Sequence, residues 1–284
     1  MNTKRFSHAR NIPAAVSLRL VMLVFMALFI VPVPFSLFTS FKSQPEFYRN
    51  IWGPPEQIVL GNYTDAFIVG RIGDYFLSSI IIAAFSLVLI QILSILMAYA
   101  LARLHIPFAE LILVILLVIQ ILPTESQIVP LYIMFAKIGL FKIPYWGIIL
   151  AYTGWSLPGT VIIMKNFFET IPAELMESAR IDGSGETRTL IQIMLPLMKS
   201  AMATCLVFNF KFVWGELMWA QIATAITDKG VPLTIGLLNF RDSYGTNWPM
   251  LTAAICMVMI PLFVVFLFTQ KYFVAGLTAG SVKG

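Results

Sequence analysis

Three ionisable side chains, Glu125, Lys211 and Glu216, stand inside long apolar stretches. An ionised group at bilayer depth costs about 2.5–3.5 kcal/mol on insertion scales, so each needs a partner or a wet cavity and is a candidate lining of a solute path. Lys211 and Glu216 are five residues apart, about 140° around a helix, which makes a poor intrahelical pair. Lys211 with Glu125 across helices is one alternative, and a structural ion pair or a site at the end of a span is the plainer one. Trp214 and Trp219, with Tyr152 and Trp155, carry flat rings suited to stacking on a sugar face, although interfacial aromatic belts use the same residue types. Asn209 and Gln120 add neutral hydrogen-bonding groups to this set.

Other chemistries find no support. Gly183-Ser-Gly-Glu-Thr-Arg-Thr189 has the glycines of a phosphate loop but lacks the Gly-Lys-Ser/Thr that grips a nucleotide. His8 and His105 are isolated beside basic residues, and no His, Cys or carboxylate cluster has metal-ligand spacing. Cys205 and Cys256 lie in apolar runs and read as small buried hydrophobes rather than a disulfide framework. Neither catalysis, a metal nor a cofactor is expected in this chain.

The elements that position these residues follow from composition. Of 284 residues 59% are apolar and 12% charged, about half the charged share of soluble domains, so most of the chain faces something other than water. About 20 apolar residues cross about 30 Å of hydrocarbon, and six stretches qualify: 20–41, 75–102, 111–136, 143–164, 200–227 and 243–270. An all-α, polytopic membrane protein with six transmembrane helices is expected. The run after Lys4, Arg5, Arg10 and Arg19 is 22 residues long without a small-residue cleavage site, and is expected to stay as a helix.

The net charge of +5 is spread among short connecting segments, which argues against a nucleic-acid partner and for a reading as topology. With both termini in the cytoplasm, that side holds eleven basic residues (Lys4, Arg5, Arg10, Arg19, Arg103, Lys165, Arg180, Arg188, Lys199, Lys271, Lys283) against seven outside, favouring N-in/C-in. On the outer side, 42–74 reads as an ordered loop, and Leu233 to Phe240 as an amphiphilic stretch reaching toward an external partner.

Between the fourth and fifth spans, 170–196 does not belong in lipid. Thr170 as N-cap, Pro172 in the first turn and Gly183 at the stop outline a helix of about 12 residues, roughly 18 Å, whose Glu174, Glu177, Arg180 and Asp182 are too polar to span. Ile171, Leu175 and Ala179 recur at i, i+4 and i+8 as a narrow apolar stripe. A second short helix, 186–195, leads to Pro196 and the fifth span. These residues alone leave two readings, insertion into a partner's groove or a surface helix resting on headgroups.

Glu177-Ser-Ala-Arg-Ile-Asp-Gly183 followed by Ile193-Met-Leu-Pro196 resembles the EAA loop of inner-membrane permease subunits of binding-protein-dependent ABC importers, with Ser178 replacing the first alanine. Gln270 to Gly284 is similar to the C-terminal tail of carbohydrate-uptake permeases of the maltose-transporter type. Gly215 and Ala220 depart from asparagine and proline common in that family, which leaves a substrate role there in doubt. The resemblance implies a single permease transmembrane domain over 1–284 of a bacterial inner-membrane protein that translocates a sugar or sugar-like solute. It further implies a cytoplasmic coupling helix that seats Glu174, Glu177, Ala179, Asp182, Gly183 and Pro196 against an ATPase. The implied partners are a second, different permease, two ABC ATPase subunits that hold ATP and magnesium, an extracytoplasmic solute-binding protein and membrane lipid. The rivals are a secondary transporter with Glu125 or Glu216 as proton relay, and a scaffold subunit with no pore.

Overall fold

The computed structural model describes residues 12–225, 229–242 and 245–281. Lys4, Arg5, His8, Arg10, Asp228 and Lys283 lie outside them, as do positions 226–227 of the fifth expected span, 243–244 of the sixth and 282–284 of the C-terminal tail. Among the described residues the chain is helical apart from one two-residue antiparallel ladder, Arg241 with Thr246 and Asp242 with Gly245. In order the helices are α1 (Ile12–Ile30), α2 (Pro32–Ser40), α3 (Gln44–Arg49), α4 (Gly61–Ile68), α5 (Ile72–Arg103), α6 (Ala109–Ile121), α7 (Thr124–Lys137) and α8 (Trp146–Thr170). There follow α9 (Glu174–Ile181), α10 (Glu186–Thr189), a π turn (Leu190–Met194), α11 (Leu195–Leu197), α12 (Lys199–Gly215), α13 (Met218–Ala223), α14 (Leu233–Gly236) and α15 (Trp248–Ser281).

Four stretches are long and apolar enough to cross a membrane: Val16–Ser40, Ile72–Arg103, Trp146–Thr170 and Trp248–Lys271. The third and fifth expected spans are not single rods. At Leu122–Pro123 the chain bends by 102° between α6 and α7. Pro123 has no N–H and its ring steers the preceding residue out of the helical region, so Leu122 sits at φ −68°, ψ 126°. The 13 residues of α6 rise only about 20 Å, short of the hydrocarbon thickness. The fifth stretch ends as a helix at Gly215; Glu216 is extended (φ −69°, ψ 132°) and α13 starts anew after it. A second bend, of 78°, separates the Glu186–Leu197 segment from α12. The expected sixth span starts at Trp248, after the β ladder, rather than at 243.

Helices α5 and α8 pack most extensively. Lipid tails are as apolar as leucine, so association inside a membrane depends on close backbone approach rather than on hydrophobic burial. The buried residues of α5 include the small Ser78, Ser79, Ala83, Ser86, Ser94 and Ala98 beside the larger Ile72, Ile82, Ile90, Ile95 and Tyr99. Gly147 and Ala151 are buried on α8. One apolar cluster, around Ile90, Tyr152 and Trp219, fills the half of the bundle near Leu233, and another, around Tyr99, Phe168 and Met194, fills the half near α9. The first span is exposed from Val16 to Val33, and its end is buried at Thr39 and Ser40.

The loops at the end of the bundle opposite α9 close over it. Residues 42–74 are ordered, with Lys42 fully buried and donating to the carbonyl of Asn50 at 2.5 Å. The stretch Leu233 to Phe240 does not project outward as expected. Leu233 and Phe240 are buried, and Leu233 N donates to Ser79 Oγ at 2.7 Å, because its apolar side chains find the bundle's own outer cluster.

Ser86 Oγ is buried without a hydrogen-bond partner. Ser86→Ala is therefore expected to leave the thermal midpoint of the purified protein unchanged or raise it, while Ser86→Leu lowers stability by about 1–3 kcal/mol through overpacking. Equal midpoints for the two variants would refute tight packing around Ser86.

Candidate functional site

The loop after α8 is built differently from its sequence outline in one respect. Thr170 does not cap the next helix; it ends α8, its hydroxyl donating to Phe167 O. Pro172 falls in a non-helical link, and α9 is eight residues long, about 12 Å. Its end is as read. Gly183 adopts φ +76°, Gly183 N donates to Arg180 O at 3.0 Å and Ser184 N to Ala179 O at 2.9 Å, the paired bonds of a Schellman stop.

The facing of α9 also differs from the expected stripe. Met176 (4% exposed) and Ala179 (5%) point into the bundle, whereas Leu175 (42%) points away, together with Ile181 (85%). Ile171 is buried just before the helix. Glu174, Glu177, Ser178, Asp182 and Gly183 are exposed, and Pro196 is exposed beyond the π turn. The outward face of α9 thus combines apolar and acidic groups, with Glu174 and Glu177 in its first turn, where the dipole favours them, and Asp182 at its C-cap. Behind it, Glu186 accepts from Arg180 Nη2 at 2.8 Å and from the Tyr99 hydroxyl at 2.6 Å. The Tyr99 hydroxyl holds the Glu186 carboxyl below the usual carboxylate range, partial burial opposes this, and Arg180 adds to the lowering.

The in-membrane residues separate into two groups. Glu216 is a helix-capping residue: its carboxylate accepts from Trp219 N at 2.9 Å, Ala220 N at 3.1 Å and the Tyr152 hydroxyl at 2.7 Å, satisfying the first turn of α13. Trp219 is fully buried and donates to Gly147 O, and buried Trp214 donates to Val258 O. In this conformation these rings pack the core and present no face to a solute. Glu125 lies exposed in the first turn of α7 and Lys211 exposed on α12; among the described residues no ion pair joins Lys211 to either glutamate.

Asn209 belongs to a cleft of about 270 Å³ between α6, the start of α7, α8 and α12, in which Gln120, Thr124, Ser156, Thr160 and Asn209 offer polar groups and Trp155, Ile163, Cys205, Phe208 and Phe212 a larger apolar surface. Asn209 Nδ2 donates to Thr160 Oγ1 at 3.0 Å, and Trp155 Nε1 to Gln127 Oε1 at 3.0 Å. Gly159 makes room, since a Cβ there would meet Gln120 Oε1 at 2.8 Å. The lining contains hydroxyls, amides and aromatic rings and no charge. The sequence reading missed Ser156, Gly159 and Thr160, which share one face of α8 at i, i+3 and i+4, a spacing visible in the sequence. It also missed Tyr99 and Glu186.

The family model described as binding-protein-dependent transport system inner membrane component matches residues 90–278. The melibiose/raffinose/stachyose import permease of Bacillus subtilis is 34% identical over 255 residues, 89% of this chain and 91% of that one. The diacetylchitobiose uptake permease of Streptomyces coelicolor is 32% identical over 272 residues, 95% of this chain and 89% of that one. An alpha-glucoside transport permease of Rhizobium meliloti is 34% identical over 234 residues, 81% of this chain, which spans 62% of that relative's length. The fold matches a chain from the crystal structure of a bacterial ABC transporter involved in the import of the acidic polysaccharide alginate, with TM-score 0.83 and 22% identity, covering 95% of this chain and 100% of that one.

Glu216→Ala leaves two backbone N–H groups and the Tyr152 hydroxyl without an acceptor, at about 1–3 kcal/mol for each buried one. The variant is expected to unfold at lower temperature in detergent, with Glu216→Gln intermediate because it keeps one acceptor oxygen. An unchanged midpoint for Glu216→Ala would overturn the capping role.

Proposed function

The chain belongs to the inner membrane components of binding-protein-dependent transport systems, and from that premise we propose that it is one half of the pore of a sugar importer. A second, different permease completes the pore, two ABC ATPase subunits bind and hydrolyse ATP with magnesium, and an external binding protein delivers the solute. Four long helices, the bent α6–α7 pair and α12 support a six-span topology, and the excess of basic residues on the side that holds the termini supports placing both termini in the cytoplasm. Relatives of this chain import melibiose, raffinose and stachyose or take up diacetylchitobiose, which supports a small neutral saccharide as cargo.

The observation that carries this reading is the outward face of α9. A helix too short and polar for lipid exposes Leu175 and Ile181 beside Glu174, Glu177 and Asp182, a surface suited to a protein cleft rather than to water alone. Ala179, buried, serves docking indirectly by letting α9 lie close against the bundle. ATP-driven closure of the ATPase pair pushes α9, and the bundle alternates its access from outside to inside. The cleft holding Asn209 and Trp155 is the neutral, hydroxyl-reading stretch of the path. Exposed Glu125 and Lys211 flank the route without an ion pair in the described chain. Trp214, Glu216 and Trp219 frame it from behind.

Gly183 tests the docking. Its Cβ position is open, with nothing within 4 Å, so a side chain there is penalised only through the positive φ, by about 1–2 kcal/mol for ordinary residues. Gly183→Val is expected to leave the protein inserted, weaken co-purification with the ATPase and abolish ATP-dependent uptake in proteoliposomes, whereas Gly183→Asn, which tolerates this conformation, retains most of it. Near-normal uptake by Gly183→Val would overturn the assignment of α9.

A further inference from the structure

The last turn of α5 holds both ends of the α9 loop. Arg103 donates from one guanidinium nitrogen to the carbonyls of Phe168 and Ile171, the C-terminus of α8 and the start of the link to α9. A cation there also meets the negative end of the α8 dipole. One turn earlier on α5, Tyr99 donates to Glu186 Oε2 at 2.6 Å, just past the Gly183 stop. The other oxygen of Glu186 accepts from Arg180 on α9, Nε at 3.0 Å and Nη2 at 2.8 Å. Between these grips, Met176 of α9 lies in the same apolar cluster as Ile95, Tyr99, Phe168 and Met194, and the Tyr99 ring stands edge-on to Phe168 at 5.7 Å.

The outer end of the same helix is fixed as well. Ser79 Oγ accepts from Leu233 N, and Tyr75 Oη accepts from Asn239 Nδ2 at 2.9 Å, so α5 reaches from the α9 loop to the outer cap as one 32-residue helix, about 48 Å long. A loop tied only by its flanking chain would absorb a push by bending. One tied at its start, middle and end to a single rigid helix passes the push on.

We infer that the last turn of α5 is a clamp, with Tyr99, Arg103 and Glu186 as positioning residues that make displacement of α9 and tilting of α5 a single movement. This rests on the reading of α9 as the ATPase docking segment. Tyr99 and Glu186 act through the Arg180 side chain of α9, and Arg103 acts through the backbone just before it.

The test uses the whole complex, this chain with its second permease and ATPase subunits, in nanodiscs. Cys205 and Cys256 are replaced, and Ser156→Cys in the cleft reports access to a sulfonated, membrane-impermeant thiol reagent. In the parent, trapping with magnesium, ATP and vanadate changes the labelling rate. Coupling between linked sites commonly amounts to about 5–150-fold. Tyr99→Phe and Glu186→Gln are each expected to cut the vanadate-induced change about fivefold or more while ATPase co-purification and hydrolysis persist, and the double variant is expected to lose little more than either single one. Arg103→Met adds a separate loss. Tyr99→Phe removes one hydroxyl from a packed ring, so it supplies the decisive result even where a harsher variant does not insert. A full vanadate response in Tyr99→Phe and Glu186→Gln overturns the clamp. Failure of the unmutated chain to retain the ATPase overturns the docking reading instead.

Discussion

A backbone N–H or C=O in hydrocarbon has no water to turn to, so each interruption of a spanning helix has to be satisfied by the protein itself. The organisation of this bundle follows from where its interruptions fall. At Glu216 the chain leaves the helix, and the carboxylate of the same residue supplies the acceptors that the new helix α13 requires. At Leu122–Pro123 proline removes one donor, and the bend opens against α8 at a cleft lined with hydroxyls and amides. Gln120 and Thr124, on either side of the Leu122–Pro123 break, line the cleft, and the Glu216 break is held by the Tyr152 hydroxyl of α8.

Close packing of α5 on α8 is the second requirement. Small side chains along α5 let neighbouring helices approach closely, and this one helix runs from the Leu233–Phe240 stretch to the α9 loop. Ala83 has no side-chain hydrogen-bonding group and Ser79 uses its hydroxyl on Leu233 N, and both are small enough to leave room for close packing. Ser86 Oγ and Ser94 Oγ are buried without a partner, which fits a helix in which proximity outweighs the satisfaction of individual hydroxyls.

The cleft and the outward face of α9 differ in chemistry. The cleft lining is uncharged and mostly apolar, with the rings of Trp155, Phe208 and Phe212 beside the hydroxyls of Thr124, Ser156 and Thr160 and the amides of Gln120 and Asn209. The α9 face is acidic and apolar. Charged residues in the long apolar stretches belong to neither surface in a simple way. Glu216 is consumed in capping, and Lys211 and Glu125 remain exposed.

Composition and local chain geometry were sufficient for the membrane class, the helical fold, the approximate extents of the unbroken spans and the Gly183 stop. Each of these depends on residues near one another in sequence: a run of apolar side chains, or a glycine where φ must be positive. Pro123 was visible too, but the 102° bend it permits is set by what packs against it. Which face of α9 turns inward was not legible, because Met176 is chosen over Leu175 by an apolar cluster drawn from α5, α8 and the π turn. The role of Glu216 depended on a tyrosine 64 positions away, and that of Glu186 on one 87 positions away. Only the tertiary structure decided these, since a carboxylate in an apolar run looks the same in sequence whether it faces a solute, a cation or the open end of a helix.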